Sequence, residues 1–323
     1  MKKRVLSGIQ PSGKLHIGNY FGMIKRMVAY QESSDLFLFI ANLHSLTTLQ
    51  DKEQMKAMTL EAATDLLALG VDPKKCHFWV QSDVPEVAEL TWILSCLTPI
   101  GLMERAHSYK DKIAKGIKPN LGLFCYPALM TADILINQSE LIPVGKDQKQ
   151  HVEMARDIAL KFNNQFGKVF TIPEPEILDE VAVVPGTDGQ KMSKSYKNTI
   201  PIFDEPSVIK KAVMGIVTDS KGVNDPKDPE KCTVYALYKL FASPKERLGM
   251  ADEYRKGKIG YGDAKKALLS KMTETFHPFQ KKHEELKAHP KKVEKILEEG
   301  AEKVRKITLK TLEAVRKATG LRY

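Results

Sequence analysis

The sequence is poor in the residues that build metal centres and disulfide scaffolds. It has four cysteines in 323 residues: Cys76, Cys96, Cys125 and Cys232. None belongs to a C-x-x-C pair and none has a histidine at ligand spacing, so no protein-bound metal is expected. Scattered thiols of this kind fit a reducing, cytoplasmic setting. Long apolar runs are missing as well. No stretch approaches the ~18 residues of a membrane span, so no membrane partner is expected. The opening MKKRVLSGIQPSG has too short an apolar run for a signal peptide. Also absent are G-x-G-x-x-G and G-x-x-x-x-G-K-[ST], which weakens the case for a dinucleotide dehydrogenase or a P-loop enzyme.

Acidic charge is in short supply only at one end. The chain carries 50 Lys+Arg against 40 Asp+Glu, a formal net charge of +10. Residues 245–323 hold 21 Lys+Arg and 12 Asp+Glu, whereas residues 1–244 hold 29 and 28. A near-neutral body with a basic appendage is expected to meet a polyanion through the appendage.

What is present is an alternation of strand and helix signals. Val5–Ile9, Leu36–Ala41, His77–Gln81, Leu141–Val144 and Val181–Val184 read as strands. LFLFIA is apolar throughout, as suits a strand buried on both faces of a parallel sheet. Helices are expected over about Ile17–Tyr30 and Met55–Leu69. The fold class expected is α/β, a Rossmann-like doubly wound parallel sheet with a C-terminal all-helical domain. Residues 1–200 form the first domain and 201–323 the second. Thr218–Pro229 reads as a polar loop or short linker. Val293, Leu297, Ala301, Val304, Thr308, Thr311 and Val315 recur at helical steps, with Gly320 as the stop.

Two motifs carry chemistry. PSGKLHIGN joins the first strand to the first helix, the place where a doubly wound sheet binds phosphates. His16 and Asn19 are three apart and share a helical face, and Gly18 leaves flat backbone for a ring. The second motif is Lys191-Met192-Ser193-Lys194-Ser195, in a glycine-rich and therefore mobile loop. Two lysines there can stabilise charge building on departing pyrophosphate.

HIGN with KMSKS resembles the two signatures of class I aminoacyl-tRNA synthetases. SGIQPSGKLHIGNYFG, LMTADIL, VGKDQKQHVEMARDIA and FTIPEP resemble, in order, blocks of the bacterial-type tryptophanyl branch. The resemblance implies activation of L-tryptophan with ATP and Mg2+, transfer to tRNA(Trp), and a homodimer. It implies an ATP site at Gln10, Pro11, Ser12, Gly18 and Asn19, with His16 at the first signature. Gly145, Lys146 and Asp147 would hold the ribose, and Val183 would meet adenine. Lys191, Met192, Ser193, Lys194 and Ser195 would form the phosphate loop, with Lys112 near the triphosphate and Arg105 close by. Asp133 would select tryptophan: indole N–H is a donor only, and a carboxylate in an apolar pocket accepts it. Met130 and Ile134 would wall the pocket, with Gln148 and His44 orienting its polar end. His151 and Glu153 either join the site or brace their helix. Leu6 stands where the family often has Phe and Ser108 near its usual Gln, which bears on pocket detail.

Other readings of the same residues are a tyrosyl-tRNA synthetase-like enzyme, an HxGH-type nucleotidyltransferase, and a non-catalytic synthetase-like RNA-binding protein. Tyr254, Tyr261, Arg255 and Lys258 are candidates for touching RNA, by stacking or by charge.

Overall fold

The computed structural model describes residues 2–104, 120–177 and 184–323. Five parallel strands form one sheet: β1 (Arg4–Ile9), β2 (Asp35–Ile40), β3 (His77–Val80), β4 (Leu141–Val144) and β5 (Glu174–Ile177). Their spatial order is β3-β2-β1-β4-β5. The direction of winding therefore reverses between β1 and β4. The longer helices are α1 (Lys52–Ala68), α2 (Glu86–Leu97), α3 (Leu121–Ile136), α4 (Lys149–Phe166), α5 (Tyr261–Ala288) and α6 (Pro290–Thr319).

Strand periodicity divides the core in two. Leu36, Leu38 and Ile40 of β2 face one side with Ile17, Ile24 and Leu66. Phe37 and Phe39 face the other with Leu90, Ile134 and Ile158. A strand buried on both faces has no polar alternation, which is why LFLFI was legible as sheet. Four expected strands match to within a residue or so. For the fifth, 181–183 lie outside the described residues, and Val184 pairs with the loop that follows it. β5, with the sequence EPEI, was not anticipated. Proline and two glutamates disfavour a strand, and only an edge position tolerates them.

The first expected helix is three pieces: Ile17–Asn19, a π-helical turn at Tyr20–Ile24, and Lys25–Ser33. Pi-turns of this kind concentrate at functional sites. Thr218–Pro229 is more than a linker. Lys227 is buried, donating through Nζ to the carbonyls of Val223 (2.9 Å) and Asp225 (2.8 Å). Tyr254 is fully buried, so it offers no face for a base; the Cys232 thiol points at its hydroxyl, 3.5 Å away. Tyr261 donates to Asp219 at 2.6 Å, while Arg255 and Lys258 are exposed.

Helix α6 returns from the C-terminal half to the sheet. Gly300 lies so close to β3 that a Cβ there would sit 1.7 Å from the Phe78 carbonyl oxygen. Arg305 bonds Glu86 through two nitrogens (2.8 and 2.9 Å), and Arg316 bonds Glu89, fixing α6 to α2. Gly320 ends α6 with φ +75°, the left-handed conformation of a helix stop.

Candidate active site

In an open α/β sheet, ligands bind beyond the carboxyl ends of the strands where the winding reverses. Here that point lies between β1 and β4. Gln10, Pro11 and Ser12 follow β1, and Gly145, Lys146 and Asp147 follow β4 into a 3₁₀ turn over Lys146–Gln148. Gln10, Ser12, Gly145 and Lys146 are exposed on this rim, Gln148 is half-buried, and Pro11 is buried beneath it.

The first motif is tied down by its own backbone and by the chain after the second motif. Asn19 Oδ1 accepts from the His16 backbone N–H (3.1 Å), and the Asn19 N–H donates to the His16 carbonyl (2.8 Å). Ile17 N–H donates to Ile200 O at 3.0 Å, and Ile202 N–H to Leu15 O at 3.3 Å. The His16 ring is buried. Burial, and then the Lys194 ammonium, push its pKa down to about 4. It is therefore a neutral imidazole at neutral pH, able to donate one N–H but not to supply charge. Gly18 permits this packing: a Cβ there would meet His16 Nδ1 at 2.9 Å and Met192 Cβ at 3.3 Å. Met192, buried itself, thus lays the second motif against the first.

Lys194 completes the junction. Its Nζ donates to the carbonyls of Ser12 (3.0 Å) and Gly13 (2.7 Å), some 180 residues earlier in the chain. Burial lowers its pKa, opposed by Glu61 and Asp65. Ser193 and Ser195 hydroxyls bond each other at 2.8 Å, and Lys191 is exposed. Asn198 organises the loop from below. Its Oδ1 accepts from Ser193 N–H (2.8 Å), and its Nδ2 donates to Asp188 Oδ1 (2.8 Å) and Lys191 O (3.1 Å). Gly186 makes room for it, since a Cβ there would lie 2.2 Å from Asn198 Nδ2.

Asp133 lies on α3, buried, with Met130 one turn before it and half-buried. His44 Nε2 is 2.8 Å from Asp133 Oδ2. Gln81 Nε2 donates to both carboxylate oxygens (2.8 and 2.9 Å). The Gln81 Oε1 in turn accepts from Leu43 N–H (3.1 Å) and His44 N–H (3.4 Å). Two donors thus hold a buried carboxylate while leaving it acceptor capacity for a third. His151 is buried 2.5 Å from the Tyr126 hydroxyl, bracing α4 against α3; Glu153 pairs with Lys149 at the surface.

Gln81 and Asn198 were not singled out in the sequence. Gln81 had a signal: a polar residue ending an apolar strand of a parallel sheet. Asn198 had none beyond its nearness to KMSKS. Lys112, Val183, Arg105 and Ser108 lie outside the described residues.

This geometry, with a lysine-bearing loop crossing to the first strand's turn at the reversal point of a parallel sheet, is that of a nucleotide-using α/β enzyme. The family model for class I tRNA synthetases (W and Y) matches residues 1–277, and the chain belongs to that family. Within it, the chain is 52% identical over 318 residues to a tryptophan–tRNA ligase of Campylobacter jejuni, covering 98% of this chain and 100% of that one. It is 50% identical over 319 residues to a tryptophan–tRNA ligase of Rhodopirellula baltica, covering 99% and 100%. The structure of a tryptophanyl-tRNA synthetase from Campylobacter jejuni complexed with ADP and tryptophan superposes with a TM-score of 0.95 at 52% identity, covering 98% of this chain and 99% of that one.

Proposed function

We infer that the chain activates L-tryptophan with ATP and transfers it to tRNA(Trp). The observation that carries this is the contact of Lys194 with the Ser12–Gly13 turn, on the same sheet rim as the buried Asp133. Full-length relatives named tryptophan–tRNA ligase support the choice of amino acid.

In the first step a carboxylate oxygen of tryptophan bonds to the α-phosphorus of ATP, and the bond to the bridging α–β oxygen breaks. Tryptophanyl-adenylate and pyrophosphate result, with no protein nucleophile. Positioning and charge stabilisation do the work. We assign Gln10, Ser12, Gly18, Asn19, Gly145, Lys146 and Asp147 to the nucleotide. Neutral His16 offers a hydrogen bond without adding charge. Lys191 and Lys194 meet charge that grows on the β- and γ-phosphates, so they favour the transition state over the ground state. The loop's cationic and hydroxyl groups suit phosphate oxygens; magnesium would enter bound to ATP and neutralise part of its charge.

Asp133 accepts the indole N–H, and Met130 forms apolar wall. In the second step the terminal ribose hydroxyl of the tRNA attacks the adenylate carbonyl and AMP leaves. Residues 1–200 carry the small-molecule chemistry, and 201–323 present basic helices to the tRNA. The active form is a homodimer. Trp92, Ile100 and Leu121 are 72%, 69% and 76% exposed, apolar side chains of the kind that a second copy would cover.

Lys191→Ala and Lys194→Ala should each slow tryptophan-dependent exchange of pyrophosphate into ATP by about 100-fold. Tryptophan binding, read by equilibrium dialysis, should change little. Wild-type exchange in both variants would remove the loop from the mechanism.

A further inference from the structure

The chain leaving the Lys191–Ser195 loop is held by more than the first motif. Residues 200–204 run between Leu15–Ile17 on one side and α5 on the other. Gln280 Nε2 of α5 donates to Ile202 O at 3.3 Å. His283, one turn on, stacks on Phe203 with ring centroids 4.1 Å apart and planes within 6°. Its Nε2 lies 3.0 Å from Asp65 Oδ1 on α1. The side chains of both partners are largely buried, at 12% and 4% exposure. Lys14 and Asp204 close the same stretch from outside, 2.5 Å apart.

A buried carboxylate–imidazole contact is a costly way to hold two helices together. Apolar residues of similar size would do so as well or better. This one joins three things: α1, α5 and the segment that returns from the phosphate loop to His16. Asp65 Oδ1 has no aligned hydrogen-bond donor among the described residues. Glu61, one turn before it, has its carboxyl pushed up by burial and by Asp65, and pulled down by Lys14, Lys194 and His283. Both carboxylates favour the charged form of Lys194, whose own contacts are with the Ser12–Gly13 turn.

We propose that Asp65 and His283 act as a pair of positioning residues for tryptophan activation, pinning the exit of the Lys191–Ser195 loop to α1 and α5 so that Lys194 is held at the depth of the first motif. Neither touches substrate. The inference rests on reading the loop as the phosphate loop.

The test is steady-state pyrophosphate exchange on the full chain. Asp65→Asn removes the charge; His283→Phe keeps the stack on Phe203 but loses the pair. Each would be measured alone and combined with Lys194→Ala. Each single change should lower kcat/KM for ATP about 10-fold and leave KM for tryptophan unchanged, and with Lys194 already Ala the further loss should shrink to within about 2-fold. Losses that multiply regardless of Lys194, that fall equally on ATP and tryptophan, or that do not occur, would overturn the inference. If Lys194→Ala alone exchanges normally, the phosphate-loop reading itself fails. If it is impaired but uncoupled, only the positioning role fails. Should Asp65→Asn not fold, the His283→Phe cycle decides alone.

Discussion

On the proposed reading, selection of the amino acid comes down to a few atoms around Asp133. A carboxylate is useful there only if it stays charged, oriented and short of one partner. His44 and Gln81 supply two donors, and Gln81 is itself fixed by two backbone N–H groups. Removing Gln81 therefore disturbs Asp133 and His44 together. Gln81→Leu should raise KM for tryptophan about 10- to 100-fold, the worth of a hydrogen bond to a buried charge, and leave KM for ATP unchanged. Unaltered tryptophan kinetics would show that Asp133 needs no such support. Asp133 stood out in the sequence by the resemblance and by its apolar neighbours in ALMTADILI, and His44 only as a candidate for polar orientation. Gln81 did not stand out, because its value depends on residues 38 and 52 positions away meeting it in space.

Elements were legible where periodicity and burial agree. β2 declares itself by an unbroken apolar run, and α6 by apolar residues every three or four positions ending at Gly320. β5 was not, since EPEI has no apolar pattern, and the π-turn at Tyr20–Ile24 was not, since the apolar residues of YFGMI suit an ordinary α-helix equally well. The docking of α6 across β3 was also hidden. Its determinant is one glycine whose neighbour, Phe78, lies 222 residues earlier. Gly300→Ala places a methyl group inside van der Waals contact with a backbone oxygen, and neither side can yield cheaply. It should destabilise the protein by about 3 kcal/mol in urea unfolding, as overpacking a tight contact does. A change under about 0.5 kcal/mol would mean α6 is not seated on β3.

The whole molecule has a division of charge that the elements explain. The near-neutral first part builds the sheet and its rim, where lysines are few and placed. The basic excess after residue 244 lies on α5, α6 and the helix Pro244–Arg255, much of it exposed. That helical part is not simply an appendage, because α6 completes the core beside β3 and α5 reaches the loop exit. Among the described residues no helix is long and apolar enough to cross a membrane. On the proposed homodimer, the exposed Trp92, Ile100 and Leu121 meet a second copy. In sedimentation velocity the wild type should run as a dimer and Trp92→Glu as a monomer, a charge in an apolar interface being costly. A wild type that stays monomeric at micromolar concentration would contradict the pairing.

The central claim is that two motifs about 175 residues apart form one site that activates tryptophan with ATP. Exchange of pyrophosphate into ATP, assayed with each of the twenty amino acids in turn, tests it most directly. Tryptophan alone should support exchange. Exchange driven by tyrosine would return the pocket to the tyrosyl branch, and no exchange with any amino acid would contradict the account.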